Sequence, residues 1–251
     1  MEPISSIQNA RIKAWRKLFK KRERDRSGLF LVEGVHLVEE ALKAPVNVKV
    51  IVLVEGKDIP EQWKVKNTEI VYVTERVLQE LSETETPQGM IAVCEQPELK
   101  NIVFDQGKYV LLDNIQDPGN LGSILRTAEA AGIQGVIFGE GCADPYNGKV
   151  VRATQGALFH ISVQRMDLSE AVDLCKENNI PVFGTSLSGS TYSAIAPQDS
   201  FALILGNEGA GVHHDLLHKA DQNLYIPIYG QSESLNVSVA AGILIYHLRG
   251  D

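Results

Sequence analysis

FALILGNEGAGV (Phe201 to Val212) runs five apolar residues into a turn with three glycines and on into a stretch of helical spacing, Val212 to Ala220. An apolar run without alternation is buried on both faces, the condition of a strand in a parallel sheet covered by helices on either side. YVLLDN (Tyr109 to Asn114) and GVIFG (Gly135 to Gly139) have the same character. Around them the spacing predicts helices from near Leu121 to Gly132, at Val150 to Ala157, Ser169 to Asn178 and Val237 to Leu248. It predicts further strands at His160 to Val163, Pro181 to Ser186 and Asn223 to Ile228. The C-terminal part of the chain therefore reads as an α/β unit, a parallel sheet with helices on both faces.

Further towards the N-terminus the alternation continues on a smaller scale: LFLVEG (Leu29 to Gly34), a helix His36 to Ala44, VKVIVLVEG (Val48 to Gly56), EIVYVT (Glu69 to Thr74), a helix Arg76 to Leu81 and GMIAVCE (Gly89 to Glu95). This predicts a small α/β layer domain. Pro97 and the charged, poorly apolar stretch Gln96 to Gly107 put the boundary there, giving units 1–96 and 107–251. Ahead of the first strand, Ile12, Trp15, Leu18 and Phe19 recur at helical spacing, which predicts one basic amphipathic helix from Asn9 to about Arg24.

The net charge of −8 speaks against a polyanionic partner, since phosphate binding draws on Lys and Arg that displace counterions. The average conceals an asymmetry. Residues 1–30 hold nine basic residues (Arg11, Lys13, Arg16, Lys17, Lys20, Lys21, Arg22, Arg24, Arg26) against three acids. Polyanion contact would be confined to that end, and a solvated basic helix is the plainer account of the same residues. Three dispersed cysteines, Cys94, Cys142 and Cys175, suggest neither a disulfide framework nor a thiolate metal site. The N-terminus lacks an apolar signal core. The longest apolar run, Val237 to Tyr246, is well short of the roughly 20 residues a spanning helix needs. A cytoplasmic protein without a membrane partner is expected.

Three polar clusters follow strands of the second unit, where open α/β sheets bind ligands. In the first, Asn114, Asp117 to Gly122 and Arg126, the helix buries Leu121, Ile124, Leu125 and Ala128, and about 100° per residue turns Arg126 to the opposite side, free to meet an anion. A helix cap at Asn120 and a merely exposed Arg126 would account for the same pattern. In the second, Gly206-Asn207-Glu208-Gly209-Ala210-Gly211, the glycines permit a tight turn and close approach to a ligand. The spacing is neither a P-loop nor a GxGxxG fingerprint, so phosphate cradling is not indicated. Glu208 is not needed for turning and suits a hydrogen-bond acceptor. The third comprises Ile226-Pro227-Ile228 and Ser232 to Asn236, with Ser234 placed as the N-cap of the last helix. Asn236 and Ser238 form a glycosylation sequon that is idle without a secretory signal. His213, His214 and His218 lack an evident third ligand partner, and no metal is expected.

Taken in order over the second unit, LLDNIQDPGNLGSILRTAEAAG (Leu111 to Gly132), LILGNEGAGV (Leu203 to Val212) and IPIYGQSESLNVSVAAGILIY (Ile226 to Tyr246) resemble the three motifs of the SpoU (TrmH) family in the SPOUT methyltransferase superfamily. VRATQGALF (Val151 to Phe159) is similar to a family segment that usually has a serine near Thr154. Residues 1–95, ending in TPQGMIAV, look like the substrate-binding domain often found ahead of this catalytic unit. The resemblance implies a C-terminal trefoil knot, which general rules of chain topology would discard, and a homodimer with each cofactor pocket near the partner chain. It implies S-adenosylmethionine bound around Thr185, Ser186, Leu187, Leu205, Gly206, Asn207, Gly209, Ile226 and Leu235. It further implies methyl transfer to a ribose 2′-hydroxyl of RNA, ribosomal in preference to transfer RNA, with Arg126, Asn120, Glu208, Ser234 and Asn236 at the reacting site. Arg126 would anchor phosphate and stabilise the developing alkoxide, because a guanidinium is too basic to serve as a proton acceptor. Ser234 and Asn236 would orient the ribose and Glu208 would hold neighbouring side chains. Arg11, Lys13, Arg16, Lys20, Lys21, Arg22 and Arg26 would supply RNA affinity. Two other functions fit parts of the sequence: a non-catalytic RNA-binding or assembly factor, which has no need of three intact polar clusters, and a nicotinamide-dependent oxidoreductase, which lacks its glycine fingerprint.

Overall fold

The computed structural model describes residues 2–65, 67–97 and 102–250. Part of the boundary segment expected at Gln96 to Gly107, residues 98–101, lies outside them. The chain divides into two compact units, one of Met1–Glu98 with Asp144–His160 and one of Leu99–Ala143 with Ile161–Asp251. Residues 144–160, on the C-terminal side of the boundary drawn from composition, thus cluster with the N-terminal unit.

The first unit contains α1 (Ala10–Lys17), α2 (Lys21–Ser27), β1 (Leu29–Glu33), α3 (Val35–Lys43), β2 (Val48–Val54), β3 (Glu69–Val73), α4 (Glu75–Glu80) and β4 (Met90–Glu95). Its four strands lie in the order β1-β4-β2-β3, with β4 antiparallel to both neighbours and β2 parallel to β3. Ile12, Trp15 and Leu18 bury one helical stripe against Val50, Val52, Val71, Ile91 and Val93. Each such side chain, taken wholly out of water, contributes about 1.5–3 kcal/mol. Phe30 instead meets Tyr146 and Phe159, its ring centroids 4.9 and 6.4 Å away.

The single basic helix expected from Asn9 to Arg24 is two helices. Asn9 caps the first, its side chain accepting from the Arg11 N–H, and the helix stops at Leu18. Arg24, 3% exposed, turns back and donates from Nη1 to the carbonyls of Leu18 and Phe19 at 2.7 and 2.9 Å. Those are carbonyls that a helix end leaves without intrahelical partners. Its Nε and Nη2 bind Asp144 Oδ2 at 2.9 and 2.5 Å. A buried guanidinium with four such bonds holds the break open, and helical periodicity alone carries no sign of it.

The second unit holds β5 (Lys108–Leu112), α5 (Pro118–Ala130) and β6 (Gly135–Phe138); the intervening α6 (Gly148–Thr154) clusters with the first unit. The second unit continues with β7 (Ser162–Arg165), α7 (Leu168–Glu177), β8 (Val182–Thr191), β9 (Phe201–Leu205), α8 (His214–Lys219), β10 (Gln222–Tyr225) and α9 (Val237–Arg249). Six strands, all parallel, run in the order β10-β8-β9-β5-β6-β7. β9, and β5 after Lys108, are apolar and buried because both faces are covered. α7 and α8 pack Leu168, Val172 and Leu216 against Leu111 and Ile204, while α5 and α9 pack together on the unit's other buried stripe, α9 also touching β9. β8 runs five residues beyond the strand expected at Pro181 to Ser186, because β10 pairs Leu224 with Ser190 and Tyr225 with Thr191. From β5 the chain proceeds outward to β6 and β7; on the other side it enters at β8, steps inward to β9, and leaves β9 outward past β8 to the edge strand β10. The reversal therefore falls between β5 and β9, where open sheets receive ligands beyond the strand ends.

Candidate active site

The loop after β5 reaches α5 through Asp117, whose Oδ1 accepts the Asn120 N–H at 2.8 Å, with Pro118 opening the first turn. The cap is Asp117, not Asn120, which leaves the Asn120 amide available. Gly132, at φ 70°, closes the same helix: the Ile133 and Gly132 N–H groups return to the carbonyls of Ala128 and Glu129.

After β9, Gly206 enters a turn that Asn207 and Gly211 close by exchanging backbone hydrogen bonds of 3.0 and 2.9 Å. Asn207 braces it further, Oδ1 accepting from the N–H of Gly209 and Ala210 and Nδ2 donating to the Asn114 carbonyl. A Cβ on Gly206 would stand 2.1 Å from the Val212 nitrogen and 2.2 Å from the Gly211 carbonyl carbon, both backbone atoms that cannot swing aside. Gly206→Ala is therefore expected to destabilise the fold by about 1–3 kcal/mol and to abolish ligand binding in the adjacent cavity, as read by denaturant unfolding and calorimetry.

The turn presents Glu208 to the first cluster. Oε1 accepts from the Asp117 N–H (3.2 Å) and Asn120 Nδ2 (3.1 Å), and Oε2 from the Gln116 N–H (3.4 Å). Partial burial pushes the carboxyl up, but hydrogen bonds from the Asn120 side chain and the backbone N–H groups of Glu208, Asp117 and Gln116 outweigh it, holding Glu208 below its ordinary value. Because an ionised carboxylate only accepts, the Asn120 amide must face it with NH₂ and present Oδ1 to Asn236 Nδ2, 2.9 Å away. Asn236 then accepts through Oδ1 from the Ser238 N–H and hydroxyl. One polarity runs through three loops distant in sequence.

Glu208→Gln puts an NH₂ where only acceptors fit, and is expected to lower stability at neutral pH by about 1 kcal/mol, solvent exposure limiting the effect. The carboxyl is held lower in the folded state than in the unfolded one. Its contribution is thus full above the unfolded value and lost as pH falls through the folded one. Denaturant titrations of both proteins at falling pH should show the difference disappear.

Asn236 caps α9 with its side chain, correcting the placement of Ser234 as the cap. Ser234 is exposed and faces the cavity instead. That cavity, of about 690 Å³, is lined by Thr185, Ser186, Leu187, Leu205, Gly206, Asn207, Gly209, Ile226 and Leu235, and by Asn120, Glu208, Ser234 and Asn236. Ile228 and Glu233 of the third cluster line it too, as do Tyr225 and Leu244; no spacing singled out the last two, because strand and helix registers alone bring them there. Arg126 is exposed on α5, is not among the lining residues, and makes no hydrogen bond or salt bridge among the described residues. No Lys or Arg lines the cavity. It is hostile to phosphate, whereas its apolar walls, backbone groups and two carboxylates, Glu208 and Glu233, accommodate a cationic nucleoside without phosphate. A separate cleft of about 730 Å³ at the ends of β5, β6 and β7 holds none of the candidate cofactor or ribose residues.

Of the basic candidates, Arg11 pairs with Glu69 at 2.6 Å while lying over the Trp15 ring, Arg16 pairs with Glu80 at 2.9 Å and Arg26 with Glu23 at 2.6 Å. Lys13, Lys20, Lys21 and Arg22 are exposed and make no salt bridge among the described residues. Asp215, not considered alongside the histidines from sequence, stands beside His213 and His214, and His213 Nδ1 accepts the Asp215 N–H as the cap of α8. The three cysteines are buried and unpaired, and burial pushes the Cys175 thiol up to about 12. No helix among the described residues is long and apolar enough to cross a membrane.

Residues 107–246 match the SpoU rRNA Methylase family, and residues 9–92 match the MRM3-like substrate binding domain. The chain belongs to the SpoU rRNA methylase family. A SpoU relative from Bacillus subtilis, the 23S rRNA (guanosine(2553)-2′-O)-methyltransferase RlmP, is 49% identical over 251 residues, covering 100% of both chains. The AdoMet-bound rRNA methyltransferase from Sinorhizobium meliloti superposes with a TM-score of 0.89 at 32% identity, over 99% of this chain and 97% of that one. The SpoU methyltransferase AviRb from Streptomyces viridochromogenes, in complex with AdoMet, superposes with a TM-score of 0.85 at 29% identity, over 96% and 97%. The three hydrogen-bonded loops lie within the residues matched to the family, and the parallel α/β fold is that of the superposed methyltransferases.

Proposed function

We propose that this protein transfers a methyl group from S-adenosylmethionine to a ribose 2′-hydroxyl of ribosomal RNA in the cytoplasm. The observation that carries the reading is the chain of hydrogen bonds Glu208–Asn120–Asn236 at the edge of a cavity without cationic side chains. S-adenosylmethionine, when bound, supplies an electrophilic methyl on a sulfonium. Thr185 to Leu187, Gly206 and Asn207, Ile226 and Leu235 hold it, Leu187 and Leu235 covering apolar surface. Asn236 and Ser234 orient the ribose, and Glu208 fixes Asn120 and, through it, Asn236. Arg126, permanently charged, anchors an RNA phosphate and lowers the cost of removing the proton from the 2′-oxygen. The segment from Ile226 to Asn236 leaves an edge strand and returns α9 to β9 and α5, as threading through a trefoil knot would require.

The protein acts as a homodimer on this reading. Val239 and Tyr246, half exposed and seven residues apart, share one face of α9, and a second copy is the occupant that would cover it and approach Arg126. Lys13, Lys20, Lys21 and Arg22 bind RNA phosphates, and Arg11, Arg16 and Arg26 join them, because exposed salt bridges are weak enough to exchange partners. Ribosomal RNA is favoured over transfer RNA by the similarity to the Bacillus relative, a 23S rRNA methyltransferase. The test is transfer of labelled methyl to deproteinised RNA from a strain lacking the protein, followed by mapping of 2′-O-methyl sites. One ribosomal nucleotide should be modified. Transfer to tRNA alone would move the substrate, and no transfer to any RNA by protein with intact cofactor binding would overturn the activity.

A further inference from the structure

Six large hydrophobic side chains stand exposed among the described residues: Val103, Leu187, Tyr229, Leu235, Val239 and Tyr246. Leu187 and Leu235 line the cofactor cavity, where a bound ligand would cover them. Tyr229 does not line it, yet follows Ile228, which does, and lies five residues before Ser234. The residue is 96% exposed and makes no hydrogen bond or aromatic contact among the described residues. The space around it is open as well: a Cβ added at the neighbouring Gly230 would meet nothing within 4 Å.

An aromatic ring left wholly in water gains nothing from the fold. Single-stranded or splayed RNA is recognised by stacking of unpaired bases on such rings, whatever the base. We infer that Tyr229 is a substrate-positioning residue that stacks on a nucleobase at or next to the methylated nucleotide, holding the strand so that its ribose faces Ser234 and Asn236. The inference rests on the ribose methyltransferase reading. It adds that the substrate nucleotide is presented unstacked, with its base read by an aromatic face outside the cavity.

The test compares wild type with Y229A, Y229F and Y229L in methyl transfer to deproteinised ribosomal RNA. Cofactor affinity is measured by calorimetry and oligomeric state by light scattering. Base–aromatic stacking predicts that Y229A raises KM for RNA about tenfold or more, that Y229F restores it and that Y229L does not, with cofactor affinity and oligomeric state unchanged. Wild-type kinetics in Y229A would overturn the inference, as would equal rescue by leucine and phenylalanine. A changed oligomeric state would assign the ring to a second copy of the chain and overturn it too. If wild type transferred no methyl, the parent reading would fail, and RNA affinity of wild type against Y229A by filter binding would still decide the stacking.

Discussion

Arg126→Ala is expected to lower methyl transfer by about 10²–10³-fold, the range seen when one charge-stabilising donor is removed from a reaction centre, while leaving folding and cofactor affinity as they are. The side chain is exposed, lies on the solvent side of α5 and has no salt bridge or hydrogen bond among the described residues, so truncation leaves no buried partner behind. It is not among the residues lining the cofactor cavity, so calorimetric binding should not move. Arg126→Lys separates the two roles a basic residue could play. As an anchor, lysine keeps the charge but loses the planar fork, and activity should fall in part with an unshifted pH profile. As a proton acceptor, lysine would titrate far nearer neutrality than arginine and should displace the profile towards lower pH. A displaced profile with high activity would refute the anchor.

The largest effect on stability is expected at Arg24. Its guanidinium and the Asp144 carboxylate are 3% and 11% exposed. Removing one partner of a buried pair leaves an uncompensated charge, which costs about 3–5 kcal/mol. Arg24→Ala also strips donors from the carbonyls of Leu18 and Phe19. Denaturant unfolding should place the loss in that range. The double substitution Arg24→Leu with Asp144→Leu should recover much of it, because the second change removes the stranded carboxylate. A loss below about 1 kcal/mol in Arg24→Ala would mean that the pair does not hold the break between α1 and α2.

Both sites show which information a sequence carries openly. β5, β6 and β9 were legible because burial on two faces requires an unbroken apolar run, and Gly132 announced the end of α5 by the conformation it adopts. The break after Lys17 was not legible, since it depends on Arg24 reaching Asp144, 120 residues away. The extension of β8 was hidden for a similar reason: Ser190 and Thr191 are polar and become strand only because β10 offers them a ladder. The three polar clusters could be found by type and order. That Asn236 caps α9 and bonds to Asn120, while Asp117 caps α5, is fixed by distances that spacing along a chain does not encode.

Residues 144–160 have a consequence for how such proteins can be rearranged. Val150, Val151, Ala157, Leu158 and Phe159 are buried, in a segment that clusters with the N-terminal unit though it interrupts the sequence of the other. A cut near residue 107 would therefore separate α6 and the buried residues after it from the unit they cluster with, leaving their apolar side chains uncovered. Exchanging the N-terminal unit of this chain would therefore also require replacing the buried side chains of 144–160, residues that lie inside the stretch matched to the SpoU family.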